Sequence, residues 1–410
     1  MPTFVSPEVP TSSSSGAVPV EPAPYWNTQF GQFRVAAPYS LADLTNYYQV
    51  DPYQYFTVTA TGGTVTHVQL VSGIRMEVTG ANGSRALLRT KNQYRYQAGK
   101  SASILLTGFN SDTGQVNQTR RWGQFDDGDG LFFELEGTTL YIVRRTSTSG
   151  VVVNNRVAQA AWSNNTYPTL DITKGNIYEF RYQWLGVGTA EVFINGTLVH
   201  TFANANSFAA PYMKLAVLPL SWEVVNTGAS AIGSFTYICS SVQSDGGTDP
   251  PAYSFFAQRS ALSIAANSTA YMMSLRLKPD YPLASTIQNR AYILPLTVSG
   301  FSETNRFSIQ VLFNATLTNA TWAINPNAYS VGQVDIAATA FAGGEIIQDR
   351  LFAGSGDASI NLQPYFQNYA RKLRRWTIAA ADTDTITLIA RNEAAGATIV
   401  TVGLAWGEVK

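Results

Sequence analysis

The chain has one cysteine, Cys239, in 410 residues. No intramolecular disulfide can form, so a disulfide-stapled secreted scaffold is excluded. Cys239 follows the apolar run Phe235-Thr236-Tyr237-Ile238 and is expected to be a buried, inert thiol. Histidine is nearly as scarce. His67 and His200 are the only two, which restricts any His-dependent triad, and no His/Cys cluster has zinc-site spacing. Charge is sparse as well: Asp, Glu, Lys and Arg together make up 13%, about half the usual fraction. Lys+Arg and Asp+Glu are 27 each, so the formal net charge is zero. Such a chain lacks the positive field behind non-specific nucleic-acid binding, and a charge-poor surface favours association. No apolar run reaches 18 residues, which leaves no candidate transmembrane helix. The opening MPTFVSPEVPTSSSSGAVPVEP has neither the basic nor the apolar region of a secretory signal. No P-loop or dinucleotide fingerprint occurs; Gly186-Val187-Gly188 sits at a strand turn, not before a helix. The expectation is therefore no cofactor, no nucleic-acid partner and no membrane partner.

Against these absences, hydrophobic residues make up 45% and aromatics 12%, enough for sizeable cores. Residues 1–24 are rich in Pro and Ser and cannot bury enough apolar surface to fold alone, so they read as a disordered tail or as an extended arm that docks onto a neighbour. From Tyr25 onward the pattern is strand after strand. Ile177–Trp184 is the clearest, with Tyr178, Phe180, Tyr182 and Trp184 on one face and Glu179, Arg181 and Gln183 on the other. Ala190–Ile194, Asn195-Gly196 and Thr197–His200 predict a two-residue hairpin. Further strands are expected at Tyr55–Thr59, Thr64–Val71, Met76–Thr79, Ala86–Thr90 and Ser103–Thr107. Gly246, Gly247, Pro250 and Pro251 mark a domain boundary. The organisation expected is an arm at 1–24, a first β domain at 25–246 and a second at 247–410. In the second, Tyr271–Leu277, Ala291–Val298 and Phe307–Phe313 are strand-like, and Thr385–Arg391 with Thr398–Trp406 form an expected closing pair. Leu362, Tyr365, Phe366, Tyr369, Leu373 and Trp376 recur at three- and four-residue spacing and predict a short amphipathic helix, with Pro364 in its first turn.

The segment Arg120–Arg145, RRWGQFDDGDGLFFELEGTTLYIVRR, predicts three short strands joined by tight turns at Asp126–Gly130 and at Glu136-Gly137. Its core, GQFDDGDGLFFE followed by LYIVRRT, resembles a motif of virion structural proteins of tailed phages and large DNA viruses. Matching pieces follow in the family's order: Thr90-Lys91-Asn92, Arg95–Lys100, Leu170–Lys174, Asn176-Ile177, Gln183–Gly188, His200–Asn204, Pro219-Leu220, Glu223 and Asn226-Thr227-Gly228. In the second unit the pieces are Asn289-Arg290, Asn314–Thr318, Tyr329–Thr339 and Leu404–Glu408. The resemblance implies an all-β fold, a concanavalin A-like or laminin G-like jelly roll followed by a second β-sandwich. It also implies a structural role in capsid decoration, spike, fibre or tail, with other virion proteins as partners and assembly as a homo-oligomer such as a trimer. The expected location is the virion, after synthesis in the host cytoplasm.

Candidate chemistry is thin. Asp126, Asp127 and Asp129 are the candidate metal ligands, but Leu131 breaks the EF-hand pattern and hairpin turn chemistry selects the same residues without an ion. Glu134 and Glu136 share one strand face. Paired carboxylates would suit a glycoside hydrolase, while a solvent-facing strand edge needs no chemistry. No catalytic residue is assigned. Arg371, Lys372, Arg374 and Arg375 are read as a solvated helix face or subunit contact in preference to a nucleic-acid site. A host-glycan-binding module is the second functional class, and it would need Tyr94, Tyr96, Trp122 or Trp162 exposed as stacking platforms. Seven Asn-X-Ser/Thr sequons, at Asn82, Asn117, Asn164, Asn195, Asn267, Asn314 and Asn319, decide little in so Asn-rich a chain.

Overall fold

The computed structural model describes residues 38–247, 253–281, 284–323, 326–354, 356–366, 372–377 and 381–410. The proposed arm at 1–24 and Arg371 lie outside the described residues. Period-two alternation carries the fold. Each strand turns its large apolar residues to one side, and two such faces bury each other.

The first sandwich pairs an eight-stranded sheet with a seven-stranded one. The first follows the order Thr197–Phe202, Ala190–Ile194, Asn176–Tyr182, Ala102–Asn110, Gly233–Asp245, Gly73–Val78 and Thr64–Val68, with Pro38–Thr45 also against Gly233–Asp245. The second runs Val153–Ala158, Thr139–Thr146, Gly130–Glu136, Gln118–Phe125, Leu220–Asn226, Arg85–Thr90 and Tyr55–Ala60. Neighbours distant in sequence, all antiparallel, give the crossed connectivity of a concanavalin A-like jelly roll. Between the sheets Trp122 stacks on Phe235 at 4.8 Å and on Phe133 at 5.8 Å, while Trp222 stacks on Tyr237 at 3.8 Å. Trp122, Phe133 and Trp222 are completely buried. Burying one such ring contributes roughly 2–3 kcal/mol.

The second sandwich sets Tyr253–Ile264, Thr398–Val409, Tyr292–Ser302 and Gly356–Asn361 against Gly332–Asp335, Thr269–Leu277, Thr385–Asn392, Phe307–Phe313 and Glu345–Phe352. Its core, which includes Met272, Phe307, Val311, Leu388 and Trp406, is separate from the first. The molecule is thus all-β, a jelly roll followed by a β-sandwich.

Three expectations fail in detail. The amphipathic helix is a single turn, Gln363–Phe366, among the described residues. Leu373 instead bridges Ile293 in extended form, and Arg375 bridges Thr383. Leu362, Phe366 and Leu373 are all buried in the second core although only Phe366 of the three lies in that helical turn. The closing pair is no pair. Thr385–Asn392 lies between Thr269–Leu277 and Phe307–Phe313, whereas Thr398–Val409 lies in the opposite sheet. Finally, Cys239 is only half-buried, because the register shift between Tyr237 and Cys239 turns it out of the core.

Candidate functional site

Alternation in the seven-stranded sheet sends Trp122, Phe133 and Leu135 into the core and Arg121, Glu134 and Glu136 to the opposite face. There the charges form one alternating ladder across the strands. Arg85 Nε meets Glu223 at 2.7 Å, and Glu223 meets Arg121 at 2.8 Å. Arg121 reaches Glu134 at 2.6 Å, Glu134 meets Arg156 at 2.7 Å, and Arg156 meets Glu136 at 2.5 Å. Glu134 is 3% exposed, so it is not the solvent-facing edge residue expected from the sequence; Glu136 alone of that pair is exposed. Burial pushes the Glu223 carboxyl up, but Arg121 and Arg85 together hold it below the usual carboxylate range. Both buried glutamates sit between guanidinium groups. A general acid needs a raised pKa, and the arginines beside Glu223 oppose that. Sequence reading missed Arg121 and Glu223 as members. The signal available was that Arg121, Gly123 and Phe125 alternate with core residues on the same strand.

The acidic loop diverges rather than converging on an ion. Asp126 Oδ1 accepts from the Gly128 and Asp129 amides at 2.8 and 2.9 Å, the bonds of the tight turn. Its other oxygen receives Arg290. Asp127 meets Arg89 at 3.0 Å. Asp129 is buried and accepts from the Lys214 amide at 2.7 Å and the Ser147 hydroxyl at 2.9 Å. Among the described residues no three Asp, Glu, His or Cys side chains come together as a metal site.

Arg290 leads to the junction of the two sandwiches. From the second unit it donates to Val217 O at 2.6 Å and to Asp126, both in the first. Arg374 makes the second tie: Nη1 to Asn92 Oδ1 at 2.7 Å, Nη2 to Tyr53 O at 2.7 Å, and Nε to Asp384 at 3.1 Å. Tyr53 Oη donates back to Glu345 at 2.9 Å, and Lys91 stands 4.0 Å over the Trp376 ring. Arg374 and Arg375 are buried, not a solvated helix face: Arg374 reaches Asn92 and Tyr53 across the joint and Asp384 on its own side, and Arg375 Nη2 lies 3.5 Å from Leu277 O within the second unit. The motif residues meet here in space. Asn92, Asp126 and Arg290 span the joint. Behind it buried Glu408 accepts from Ser330 Oγ at 2.6 Å and the Val331 amide at 2.9 Å, tying the Leu404–Glu408 segment to the Tyr329–Thr339 segment.

The remaining candidates are structural. His67 Nε2 lies 2.8 Å from Asn46 O. His200 Nδ1 accepts the Ser163 amide at 3.1 Å, with the Ser163 hydroxyl also at 3.1 Å and donating to Asn164 Oδ1 at 2.8 Å. With that lone pair taken by a backbone amide, the ring has no free base for Ser163. Tyr94, Tyr96, Trp122 and Trp162 are all buried, so they form no glycan-stacking platform. Five of the seven sequon asparagines, Asn117, Asn195, Asn267, Asn314 and Asn319, adopt positive φ. Asn is there because it tolerates the left-handed region in tight turns.

No protein-family model matches the chain, and no curated protein sequence matches it either. Solved structures similar to part of it include the carbohydrate recognition domain of Emp46p in metal-free form, at 12% identity, 50% of this chain, 96% of that chain and a TM-score of 0.31. Another is the endo-β-1,4-glucuronan lyase of the fungus Trichoderma reesei, at 12% identity, 52% and 96% coverage and a TM-score of 0.35. A third is the endo-1,3-β-glucanase of Streptomyces sioyaensis, at 10% identity, 56% and 100% coverage and a TM-score of 0.40. Likenesses this weak carry no activity over to this chain.

Proposed function

We propose that this chain is a virion structural protein, a capsid-decoration, spike, fibre or tail component that acts through subunit assembly and not through turnover. One observation carries the reading: residues of the resembling segments, Asn92, Asp126 and Arg290, join the two sandwiches instead of lining a reaction site. A protein whose distinctive residues hold its two sandwiches together is suited to a structural role. The carboxylates a hydrolase would use are tied into the Arg–Glu ladder, which favours the same reading.

The partner in assembly is a second copy of the chain, with residues 1–24 as the anchoring arm. Supporting this, the outer face of the sheet containing Tyr253–Ile264 exposes Phe256, Phe301 and Ile399 around uncharged Ser299, Thr401 and Gly403. Copies with zero net charge do not repel, so such an apolar face can meet its counterpart on a second copy. Equilibrium sedimentation of the 410-residue protein tests the reading. A concentration-dependent homo-oligomer, weakened by Phe256→Asp, is expected. A monomer at every concentration contradicts it.

A further inference from the structure

Between the sandwiches lies a cleft of about 200 Å³, walled by Lys91 and Arg95 from the first unit and by Arg290, Lys372, Arg374 and Arg375 from the second. No carboxylate lines it. A second space of about 190 Å³ adjoins it, shares Gln93, Arg95, Arg290 and Tyr292, and adds Lys410. In a chain with 27 basic and 27 acidic residues, six cations on one small cleft is a strong local excess.

The joint explains part of that excess. Asp126 stands behind Arg290, and Asp384 behind Arg374. Lys91 and Lys372 are held differently, over the rings of Trp376 at 4.0 Å and Tyr292 at 4.1 Å. Arg95 is exposed at the mouth. Burial lowers the pKa of both lysines, with Arg374 adding to it, so a bound anion would offset part of the cost of burying their charge. A second feature concerns uncharged chemistry. The side-chain oxygen of Gln93, which lines both spaces, is buried without a hydrogen-bond partner. A buried acceptor left bare costs about 1–3 kcal/mol, and a ligand hydroxyl would satisfy it.

We propose that this cleft is a binding site for an acidic saccharide, with its carboxylate or sulfate groups among Lys91, Arg95 and Lys372 and a hydroxyl donating to Gln93. Volume limits the bound part to one or two sugar units, since the combined space is that of about a dozen waters. A nucleic-acid strand would need a basic track leading out of the cleft, and the neutral chain offers less to it.

Isothermal titration of the intact protein at low salt tests this, using a sulfated, uronate-bearing disaccharide. The neutral disaccharide of the same linkage, inorganic sulfate and a DNA dinucleotide serve as comparators. The acidic disaccharide should bind, weaken as salt rises, and exceed inorganic sulfate and the dinucleotide at least tenfold, while the neutral sugar gives no heat. Arg95→Ala, at an exposed position that should leave the melting temperature unchanged, should weaken binding about tenfold, and Gln93→Leu should weaken the disaccharide but not sulfate. No binding, or binding untouched by Arg95→Ala, overturns the site. Equal binding of inorganic sulfate or of the dinucleotide overturns the saccharide assignment.

Discussion

Arg121 is the side chain on which the outer face of the jelly roll depends. It lies between Glu134 and Glu223, and removing it leaves two buried carboxylates short of a counter-charge. Arg121→Met should destabilise the protein by about 3 kcal/mol, read from urea unfolding. Glu134→Gln should cost less, because Arg121 keeps Glu223 as a partner. Glu223 also contributes to the acid limit. Arginines lower the folded-state pKa of Glu223, so its contribution is present above the ordinary glutamate range and is lost as pH falls through the lowered value. Lys372 works at the other end. Burial and then Arg374 push it down to about 8, so the folded state sheds its proton before the unfolded chain does. The Lys372 contribution to stability should therefore become more favourable from about pH 8 towards 10, and Lys372→Met should remove that component from pH-dependent urea unfolding. Alternation placed Glu134 and Glu136 on one face correctly from the sequence alone. It gave no hint that Glu134 is buried, because its partners Arg121 and Arg156 arrive from strands whose pairing the local pattern does not encode.

Strands announced themselves well at the level of single elements. Tyr178, Phe180 and Tyr182 are buried on one face as their spacing predicts, and Asn195 and Gly196 both adopt positive φ, 49° and 79°, in the expected two-residue turn. The turn is strengthened locally, since Asn195 Oδ1 accepts from the Ile177 amide at 2.9 Å. Asn195→Ala loses that bond and the tolerance for the left-handed region, and should cost about 1–2 kcal/mol in thermal unfolding. A smaller loss than a few tenths would show that the turn is held by its strands alone. Two elements were misread for a shared reason. Leu362, Phe366 and Leu373 point to one core although only Gln363–Phe366 is helical, and Thr385–Asn392 faces Thr398–Val409 across the sandwich instead of pairing with it. Periodicity reports which side of a segment is buried. It does not report which neighbour does the burying.

For the whole molecule, the two cores are distinct and the joint between them is polar, made by Arg290, Arg374, Tyr53 and Lys91. Calorimetry should show one transition for the native chain and two resolved transitions for the Arg290→Ala, Arg374→Ala double variant, since interfaces of this kind couple domains weakly once their charged anchors go. Composition correctly implied large β cores and little charge. It could not imply that six of the cations gather in one cleft, because that juxtaposition needs residues 91–95, 290 and 372–375 brought together by the fold. The central claim remains the assembly role, and cryo-electron microscopy of purified particles from the source of this chain tests it most directly. The account predicts density for the two sandwiches at symmetry-related positions, with residues 1–24 lying against a neighbouring subunit. Particles that lack the chain altogether would contradict it.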